Sequence, residues 1–310
     1  MNHIFQGNAL AILKTLDSES VDCCITSPPY WGLRDYGHPL QIGLEKTPEE
    51  YVEKLVEVFR EVKRVLKTDG TLWVNLGDSY NGSGGEHKND KGQSGLCKNR
   101  DKIGFVPGRK IISLKPKDLV GIPWRVAFAL QADGWWLRQD IIWAKPNPMP
   151  ESVTDRCTKA HEYVFLLSKS AKYYYDQEAI KIKGACNKWG KYTNPKYGDT
   201  KNLSGKMQSA KDLTKDEYLE KYQEINLRSV WIINTKPCPE AHFATFPEKL
   251  IEPMIKAGCP EGGIVLDPFI GSGTTMKVAN RLRRECIGID LSYEDIQAKR
   301  IKNIQVELPL

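Results

Sequence analysis

One short segment near the end of the chain limits the possible folds more than any other feature. Residues 264–275 read IVLDPFIGSGTT, an apolar run that leads into a glycine-containing turn and then into a predicted helix from Met276 to Arg283. A strand, a tight glycine turn and a helix in this order are typical of an open α/β sheet, in which ligands bind at the carboxyl ends of strands. The segment therefore predicts an α/β fold with a ligand site at this turn.

Predicted strands alternate with amphipathic helices along the rest of the chain. This alternation is typical of a parallel sheet that helices cover on both faces. Two helix starts, Thr47–Glu50 and Thr245–Glu248, have the pattern of a capping box, in which Thr is followed three residues later by Glu. The predicted strands are His3–Phe5, Val21–Thr26, Thr71–Leu76, Leu137–Ala144, Tyr163–Ser168, Ile264–Asp267 and Cys286–Asp290.

The turn and the strand that follows it indicate the chemistry of the ligand. The last predicted strand ends at Asp290, 19 residues after Gly271, where a carboxylate can bond a ribose diol. The turn is GSG rather than GxGxxG, and no phosphate loop of the GxxxxGK[ST] type follows a predicted strand. These features favour an adenosyl cofactor without phosphates over a dinucleotide or a nucleoside triphosphate.

A second motif, TSPPY, follows the strand predicted near the start of the chain. Its prolines Pro28 and Pro29 have a fixed φ and no N–H donor, so the backbone carbonyls around them are rigid acceptors. An aromatic amine is a poor nucleophile because its lone pair is delocalised into the ring. Ser27 Oγ and the Pro28 carbonyl could accept both amine protons, and Tyr30 could stack on a base extruded from a duplex. The motif predicts methyl transfer to an exocyclic amino group by in-line displacement, without a metal.

Composition limits the class of protein. Of the 310 residues, 40% are hydrophobic and 27% are charged, and 45 Lys and Arg against 39 Asp and Glu give a net charge of +6. This small basic excess suits a polyanionic partner. The eight Cys form no CxxC pair, and the chain shows no signal peptide and no apolar run near the about 20 residues of a membrane helix. We expect a soluble, cytoplasmic protein with reduced thiols and, from the spacing of its Cys and His, no metal site.

Two segments depart from the pattern of strands and helices. Residues 79–118 are rich in Gly, Asn and Lys and contain nine Lys and Arg, which predicts a functional or mobile loop. Residues 177–228 hold ten Lys and one Arg against seven acidic residues, interleaved with aromatic side chains. Such a composition suits contact with nucleic acid, although a solvated charged insertion would have it too.

The two motifs together carry a resemblance to a known family. Thr26–Tyr30 and Asp267–Gly273 resemble the catalytic and cofactor motifs of bacterial and phage DNA amino-methyltransferases, and their order is similar to that of the β class. Arg228–Trp231 and His242–Leu250 also resemble stretches of that family. The resemblance implies a Rossmann-like, S-adenosylmethionine-dependent methyltransferase sheet, circularly permuted so that its cofactor strands come last.

The same resemblance implies roles for individual residues. Ser27, Pro28, Pro29 and Tyr30 would be catalytic. Asp290 would bind the ribose of the cofactor and the segment 242–246 its methionine end, while Asn8, where related enzymes often carry an acid, would contact the adenine. The implied cofactor-binding residues are Asn8, His242, Thr245, Phe246, Asp267, Phe269, Gly271, Ser272, Gly273, Thr274 and Asp290.

The implied organisation has three parts. Residues 1–176 form the catalytic half of the methyltransferase domain with the loop 79–118, residues 177–235 the target-recognition region, and residues 236–310 the cofactor-binding half. The implied partners are double-stranded DNA and a cognate restriction endonuclease. We expect a monomer or a homodimer without membrane association.

The residue that begins the tetrapeptide favours one base. Related adenine-N6 enzymes usually begin it with Asp or Asn and cytosine-N4 enzymes with Ser, so Ser27 favours cytosine N4, with adenine N6 as the alternative. Methylation at cytosine C5 needs a Cys nucleophile, and Cys238 lies before the cofactor strand, away from this motif. Enzymes that methylate RNA or a protein glutamine usually have Asn before Pro-Pro-Tyr. A DNA-binding module without turnover is the alternative from another class.

Overall fold

The fold comes from a computed structural model, which describes residues 2–35, 37–82, 104–105, 111, 114–183, 224–235 and 247–291. The chain divides into two compact units, a larger one of Met1–Asp176 and Ser229–Leu310 and a smaller one of Gln177–Arg228. None of the helices in the described ranges is both long and apolar enough to cross a membrane.

Twelve strands, numbered along the chain, lie within the described residues. They are β1 His3–Gln6, β2 Val21–Thr26, β3 Arg34–Asp35, β4 Leu66–Leu76, β5 Gly104–Phe105, β6 Trp136–Ala144, β7 His161–Ser168, β8 Ile182–Lys183, β9 Glu224–Ile225, β10 Val230–Ile232, β11 Ile264–Asp267 and β12 Glu285–Asp290. The helices are α1 Ala9–Leu13, α2 Pro48–Val65, α3 Ile122–Ala132, α4 Glu248–Gly258 and α5 Thr274–Arg281, with a 3₁₀ turn at Glu178–Ile180.

The larger unit is built around an eight-stranded sheet with the order β1-β12-β11-β2-β4-β7-β6-β10. Strand β7 is antiparallel to both of its neighbours, and the other pairings of this sheet are parallel. The α/β fold is confirmed, and the sheet predicted to be parallel is mostly parallel, with β7 as its one antiparallel strand. Residues 145–160 join β6 to β7 without a helix, and adjacent strands joined in this way pair antiparallel, because a parallel pair needs a crossover connection.

Strand β1 pairs in parallel with β12, the last described strand, with His3 opposite Ile287. The start of the chain therefore extends the sheet next to the strands that carry the predicted cofactor motif. This pairing is the arrangement expected for the circularly permuted sheet.

One of the two predicted helix caps is present. Thr47 is the N-cap of α2, its hydroxyl accepts from the Glu50 amide at 3.2 Å, and the Glu50 carboxylate accepts from the amide of Lys46 at 2.9 Å. Helix α4, in contrast, begins at Glu248 with Pro247 as the N-cap and without a side-chain cap. The prediction of a second capping box is therefore wrong. Pro247 has no side-chain oxygen, so it cannot accept a hydrogen bond from the amides of the first turn.

The core lies between the sheet and its helices. Every residue of β2 is buried, as are Tyr51, Leu55, Phe59 and Val62 on one face of α2. Burial of apolar surface stabilises the fold by about 25 cal/mol per Å², so these buried residues contribute to holding the sheet and its helices together.

The inserted region is shorter than predicted. Strand β10 pairs with β6, with Trp231 opposite Trp143, so residues 229–235 belong to the larger unit and not to a region 177–235. Strand β10 forms the edge of the sheet, and its pairing with β6 satisfies the backbone groups on that side, which explains why the boundary falls before it. In the smaller unit, β8 and β9 form an antiparallel pair, and Gln177 Nε2 donates to Asn226 Oδ1 at 2.6 Å.

The predicted loop 79–118 lies mostly outside the described residues, but the structure describes both of its ends. Asn81 is buried, its Nδ2 donates to the Leu114 carbonyl at 2.8 Å, and its Oδ1 accepts from the Ile111 amide at 2.8 Å. Its own amide donates to the Asp118 carbonyl at 2.8 Å. Asn81 thus links the two ends of this segment, together with the Val120 amide, which donates to the Ser79 carbonyl at 2.9 Å.

Candidate active site

The predicted motifs meet at one edge of the sheet. Because β7 alone is reversed, its amino end lies at the same edge as the carboxyl ends of the other strands. Ser27–Tyr30 follows β2, the turn 268–273 follows the adjacent strand β11, and Asp290 ends β12. This edge is where open α/β sheets bind ligands.

Asp267 joins the two motifs. The Thr26 hydroxyl donates to Asp267 Oδ1 at 2.7 Å, the Thr275 hydroxyl donates to Oδ2 at 2.6 Å, and the Phe269 amide donates to Oδ1 at 3.1 Å. Burial raises the pKa of the Asp267 carboxyl to about 6, although its hydrogen bonds to Thr275, Thr26 and Phe269 act in the opposite direction. The side chain therefore organises the turn from inside the fold.

The turn after β11 depends on its glycines. Gly271 has φ +50° and Gly273, the N-cap of α5, has φ +83°, and a Cβ added to either residue would meet no atom within 4 Å. Only Gly adopts this left-handed region at low cost, and its lack of a side chain leaves room for a ligand beside the backbone. Of the other predicted residues in the turn, Ser272 is buried with Oγ 3.4 Å from Thr274 Oγ1, and Phe269 packs partly against the core.

Asp290 lies directly beside this turn. Its Oδ2 accepts from the Gly271 amide at 2.8 Å, and its backbone carbonyl accepts from the Gly7 amide at 2.8 Å. The residue after Gly7, Asn8, is the N-cap of α1, and its Oδ1 accepts from the Ala11 amide at 3.1 Å. These hydrogen bonds join the ends of β1 and β12 to the turn after β11, and the adenine contact of Asn8 stays a prediction.

The Pro-Pro segment is fixed from the side of α2. The Tyr51 hydroxyl donates to the Pro29 carbonyl at 2.9 Å, and Pro28 is buried. The amide of Gly32 donates to the Gly43 carbonyl at 2.8 Å just after the motif. These contacts and the fixed φ of the two prolines hold the peptide that carries Ser27 in one conformation.

The Tyr30 hydroxyl lies in a polar cluster at the same edge. It donates to Glu162 Oε2 at 2.8 Å, Asn75 Oδ1 lies 3.2 Å away, and the Ser27 hydroxyl donates to it at 3.5 Å. Glu162 is also paired with Lys145. Burial of the hydroxyl, followed by the charge of Glu162, raises the pKa of Tyr30 well above its usual value, so the phenol stays neutral.

Gly77, just after β4, gives the Tyr30 ring its place. A Cβ at this position would lie 2.6 Å from Tyr30 Cε2 and 3.1 Å from Cδ2, closer than real contacts allow. The ring can lie here only because position 77 has no side chain.

The family of the chain follows from a comparison of its sequence with models of known families. A model of DNA methylases, designated N6_N4_Mtase, matches residues 21–300. The chain belongs to this family. Membership confirms the predicted reaction class, methyl transfer to DNA with S-adenosylmethionine as the methyl donor, over the alternatives of RNA, protein or binding without turnover.

Individual relatives are similar over nearly the whole methylase. It is 48% identical to the Type II methyltransferase M.SmaI of Serratia marcescens, over 94% of this chain and 87% of that protein. It is 47% identical to the Type II methyltransferase M.Cfr9I of Citrobacter freundii, over 96% of this chain and 87% of that protein.

Solved structures share the fold of the methylase. The PvuII DNA methyltransferase, described as cytosine-N4-specific, matches with a TM-score of 0.61 at 21% identity and covers 98% of this chain and 90% of its own. A putative DNA modification methylase from Thermus thermophilus, complexed with S-adenosyl-L-methionine, matches with a TM-score of 0.59 at 20% identity over 99% and 96% of the two chains.

The residues of the methylase at this edge fit an adenosyl cofactor. The two open positions at Gly271 and Gly273 allow a ligand to approach the backbone, and the Asp290 carboxylate at the end of the next strand suits a diol. His242, Thr245 and Phe246, predicted at the methionine end, lie outside the described residues.

Within the described ranges, no group of His, Cys, Asp and Glu could hold a metal ion. Burial raises the pKa values of the Cys23, Cys24, Cys259 and Cys286 thiols, which makes them poor nucleophiles. Cys238, on which the cytosine-C5 alternative rests, lies outside the described residues.

Sequence reasoning missed the residues that support the motif from other elements. Asn75 is a buried amide in the apolar strand β4, and Glu162 is an acid directly before the apolar run predicted as a strand from Tyr163. Both are polar residues in or beside an apolar run, which is the only local signal they leave. Their contact with Tyr30 depends on strand order, which the sequence does not reveal.

Proposed function

We propose that this methylase transfers the methyl group of S-adenosylmethionine to N4 of a cytosine that is flipped out of double-stranded DNA. A duplex buries the exocyclic amine in its stack, so an enzyme must extrude the base to reach it. Adenine N6 is the second candidate, because adenine presents an equivalent amino group beside a ring nitrogen.

The observation that carries the proposal is the link between the two motifs. The Thr26 hydroxyl donates to Asp267 at 2.7 Å, and Ser27 is the next residue after Thr26. An acceptor for the amino group is thereby held next to the turn that fits the cofactor. Such preorganised geometry is the main source of rate in a displacement reaction.

The residues of the motif then have separate tasks. When bound, S-adenosylmethionine supplies a methyl group on a positively charged sulfur. Ser27 Oγ and the Pro28 carbonyl accept hydrogen bonds from the two N–H groups of the amine, which localises the nitrogen lone pair for in-line attack on the methyl carbon. The new N–C bond forms as the C–S bond breaks, and the methylated nitrogen then releases one proton to water. The neutral ring of Tyr30 stacks on the extruded base.

The choice of cytosine rests on Ser27 and on a protein of the same fold. Ser27 begins the tetrapeptide as in cytosine-N4 enzymes, and the PvuII enzyme that shares the fold is described as cytosine-N4-specific. To test the choice, the methylase is expressed in a host without DNA methylation, and nucleosides from the host DNA are measured by mass spectrometry. N4-methylcytosine is expected; N6-methyladenine would overturn the base, and the absence of any methylated base would overturn the function.

Removal of the Ser27 hydroxyl tests its role in the reaction. We expect Ser27→Ala to lower kcat by about 100-fold with little change in KM for DNA, because the lost bond matters most in the transition state. Ser18→Ala, which removes an exposed hydroxyl that accepts from Arg64, is the matched control and should keep full activity. A fully active Ser27→Ala enzyme would leave the Pro28 carbonyl and Tyr30 to carry the reaction.

The remaining roles extend this proposal to partners. Residues 177–228, which form the smaller unit, are proposed to recognise the DNA target, and a restriction endonuclease that acts at the same DNA site is the proposed partner. The location proposed is the cytoplasm, where the DNA substrate lies. To test this link, DNA from the host that expresses the methylase is treated with a restriction endonuclease that cuts at the mapped methylation site. Protection of this DNA from cleavage is the expected result.

A further inference from the structure

A chain of hydrogen bonds runs from Ser27 towards β7 and β6, on the side of β2 away from the turn after β11. The Ser27 hydroxyl donates to the Tyr30 oxygen, the Tyr30 hydroxyl donates to Glu162 Oε2 at 2.8 Å, and Glu162 Oε1 is bonded to Lys145 Nζ. The four residues come from the end of β2, the start of β7 and the residue after β6. They form one connected chain, the Ser27–Lys145 line.

The positions of the protons along this line follow from what each group can donate. A carboxylate paired with a lysine accepts hydrogen bonds only, so the single phenol proton points to Glu162. Asn75 cannot reverse this direction. Its Nδ2 donates to the Tyr163 carbonyl at 3.1 Å, which leaves its Oδ1, another acceptor, to face Tyr30.

The direction of these hydrogen bonds determines what Ser27 offers to the substrate amine. Because the Tyr30 hydroxyl donates to the oxygens of Glu162 and Asn75, its own oxygen accepts a hydrogen bond from the Ser27 hydroxyl. The Ser27 oxygen then has its lone pairs, and not its proton, available for the substrate amine.

We propose that Glu162 is a positioning residue for methyl transfer, which acts through Tyr30 to keep the Ser27 oxygen an acceptor of hydrogen bonds. The inference rests on the proposed function of Ser27 as the acceptor of an amino proton. Glu162 itself does not touch the base or the cofactor in this proposal. Tyr30 serves both as the stacking surface and as the relay between the two.

The surroundings of Glu162 hold it in the required state. The side chains of Lys145 and Glu162 are only 18% and 16% exposed, and Lys145 Nζ also lies 4.3 Å from the centroid of the Trp143 ring. Glu162 is opposite Trp143 in the β6–β7 pairing, so two strands fix both ends of the ion pair. Little solvent is available to take the place of either partner.

Glu162→Gln tests the direction of the hydrogen bonds at nearly constant shape. The side-chain oxygen of Gln would stay with Lys145, so its amide nitrogen would donate to the Tyr30 oxygen and compete with Ser27. We expect kcat to fall by about 10-fold or more, while KM for DNA and for S-adenosylmethionine stays within about 2-fold. Glu57→Gln, the same change at an exposed residue of α2, is the matched control and should leave all three constants unchanged.

A double-mutant cycle with Tyr30→Phe separates this role from a structural one. Tyr30→Phe keeps the ring but removes the hydroxyl, so Glu162→Gln should lower kcat no further in that background. Glu162→Asp keeps the charge for Lys145 but is too short to bond Tyr30, and it serves in the same cycle if Glu162→Gln does not fold. We expect it to lower kcat in the wild-type background only.

Each outcome of the cycle either supports or overturns the role of Glu162. If the effects of the Glu162 and Tyr30 changes on kcat multiply, or if Glu162→Asp and Glu162→Gln are both fully active, Glu162 does not act through Tyr30 and the inference is overturned. The wild-type enzyme in the same assay tests the proposed function separately, since a product without methylated amino groups would overturn that function whatever the cycle shows.

Discussion

Asp267 shows what one buried carboxylate does in this molecule. It accepts from Thr26 and Thr275, residues that lie 241 and 8 positions away in the chain. A buried carboxylate costs free energy unless it is well bonded, and the three donors around Asp267 offset part of that cost. The result is a fixed distance between the proposed amine acceptor and the cofactor turn.

The raised pKa of Asp267 predicts how stability depends on pH. Its pKa is about 6 in the folded protein against 3.8 for a free aspartate. The folded state therefore holds the proton more tightly, and the stability that protonation contributes is lost as pH rises from 3.8 to about 6. We expect the wild type to lose about 1–3 kcal/mol of unfolding free energy relative to Asp267→Asn across this window, and no more above it.

Chemical unfolding of both proteins at a series of pH values measures this difference. Asp17→Asn, the same change at an exposed aspartate, is the control for the substitution itself. A difference between wild type and Asp267→Asn that is the same at every pH would contradict the assignment.

The proposed ribose contact of Asp290 predicts a loss of cofactor affinity. We expect Asp290→Ala to weaken binding of S-adenosylmethionine by about 1–3 kcal/mol in calorimetry, because a charge-assisted hydrogen bond is lost. Asp290→Asn should lose less, since the Asn oxygen can still accept from the Gly271 amide and keep the turn in place.

Asp140→Ala, which removes an exposed aspartate from β6, provides the control for a carboxylate change on a strand. Unchanged affinity in a folded Asp290→Ala protein would remove Asp290 from the cofactor site.

At this scale, the residues that sequence reasoning could find are those that act from within a local motif. Ser27, Gly271 and Gly273 belong to short motifs whose chemistry can be predicted from the sequence alone. Glu162 and Tyr51 could not be found in that way, because each meets the motif from a different strand or helix. Their roles exist only after the chain has folded.

Single elements were predictable where the signal lies within a few residues. The cap at Thr47 could be recognised because its partner Glu50 follows closely. The direction of β7 could not, because it depends on which strands become neighbours and on a connection, 145–160, without a helix. Strand β10 has only three residues, too few to show a period.

The loop 79–118 gives the prediction that belongs to this scale. Asn81 is buried and its side chain satisfies backbone groups of Ile111 and Leu114. We expect Asn81→Ala to lower the unfolding free energy by about 2–4 kcal/mol, because buried backbone donors and acceptors would lose their partners. If the loop contacts DNA, the affinity for DNA should fall in the same variant.

A comparison with Asn147 isolates the effect of burial. Asn147 is exposed but also bonds backbone groups, the carbonyl and the amide of Thr235, at 3.1 and 2.9 Å. Water can replace these contacts, so Asn147→Ala should cost clearly less in denaturant unfolding. Equal losses would mean that Asn81 does not hold the loop.

At the scale of the whole molecule, the proposed catalytic residues and the proposed DNA-recognition residues lie in different parts of the sequence. The larger unit carries the sheet and both motifs, whereas ten Lys and one Arg fall within residues 177–228. These 11 basic residues stand against seven acidic ones, so the 52 residues of this segment carry +4 of the chain's net charge of +6. Contact with phosphates is therefore expected from particular segments and not from the surface as a whole.

Contact of this kind makes affinity depend on salt, because each neutralised phosphate releases counterions. We expect the logarithm of the DNA association constant to fall with the logarithm of salt concentration with a slope of roughly −3 to −6. Reversal of charge at Lys191 and Lys196, which lie outside the described residues, should make this slope shallower by about 2. Lys14→Glu, at an exposed residue after α1 and at the opposite edge of the sheet from the proposed site, should leave it unchanged. A slope that responds to Lys14 but not to Lys191 and Lys196 would place the DNA-binding surface outside residues 177–228, and target recognition would then have to be sought on the larger unit.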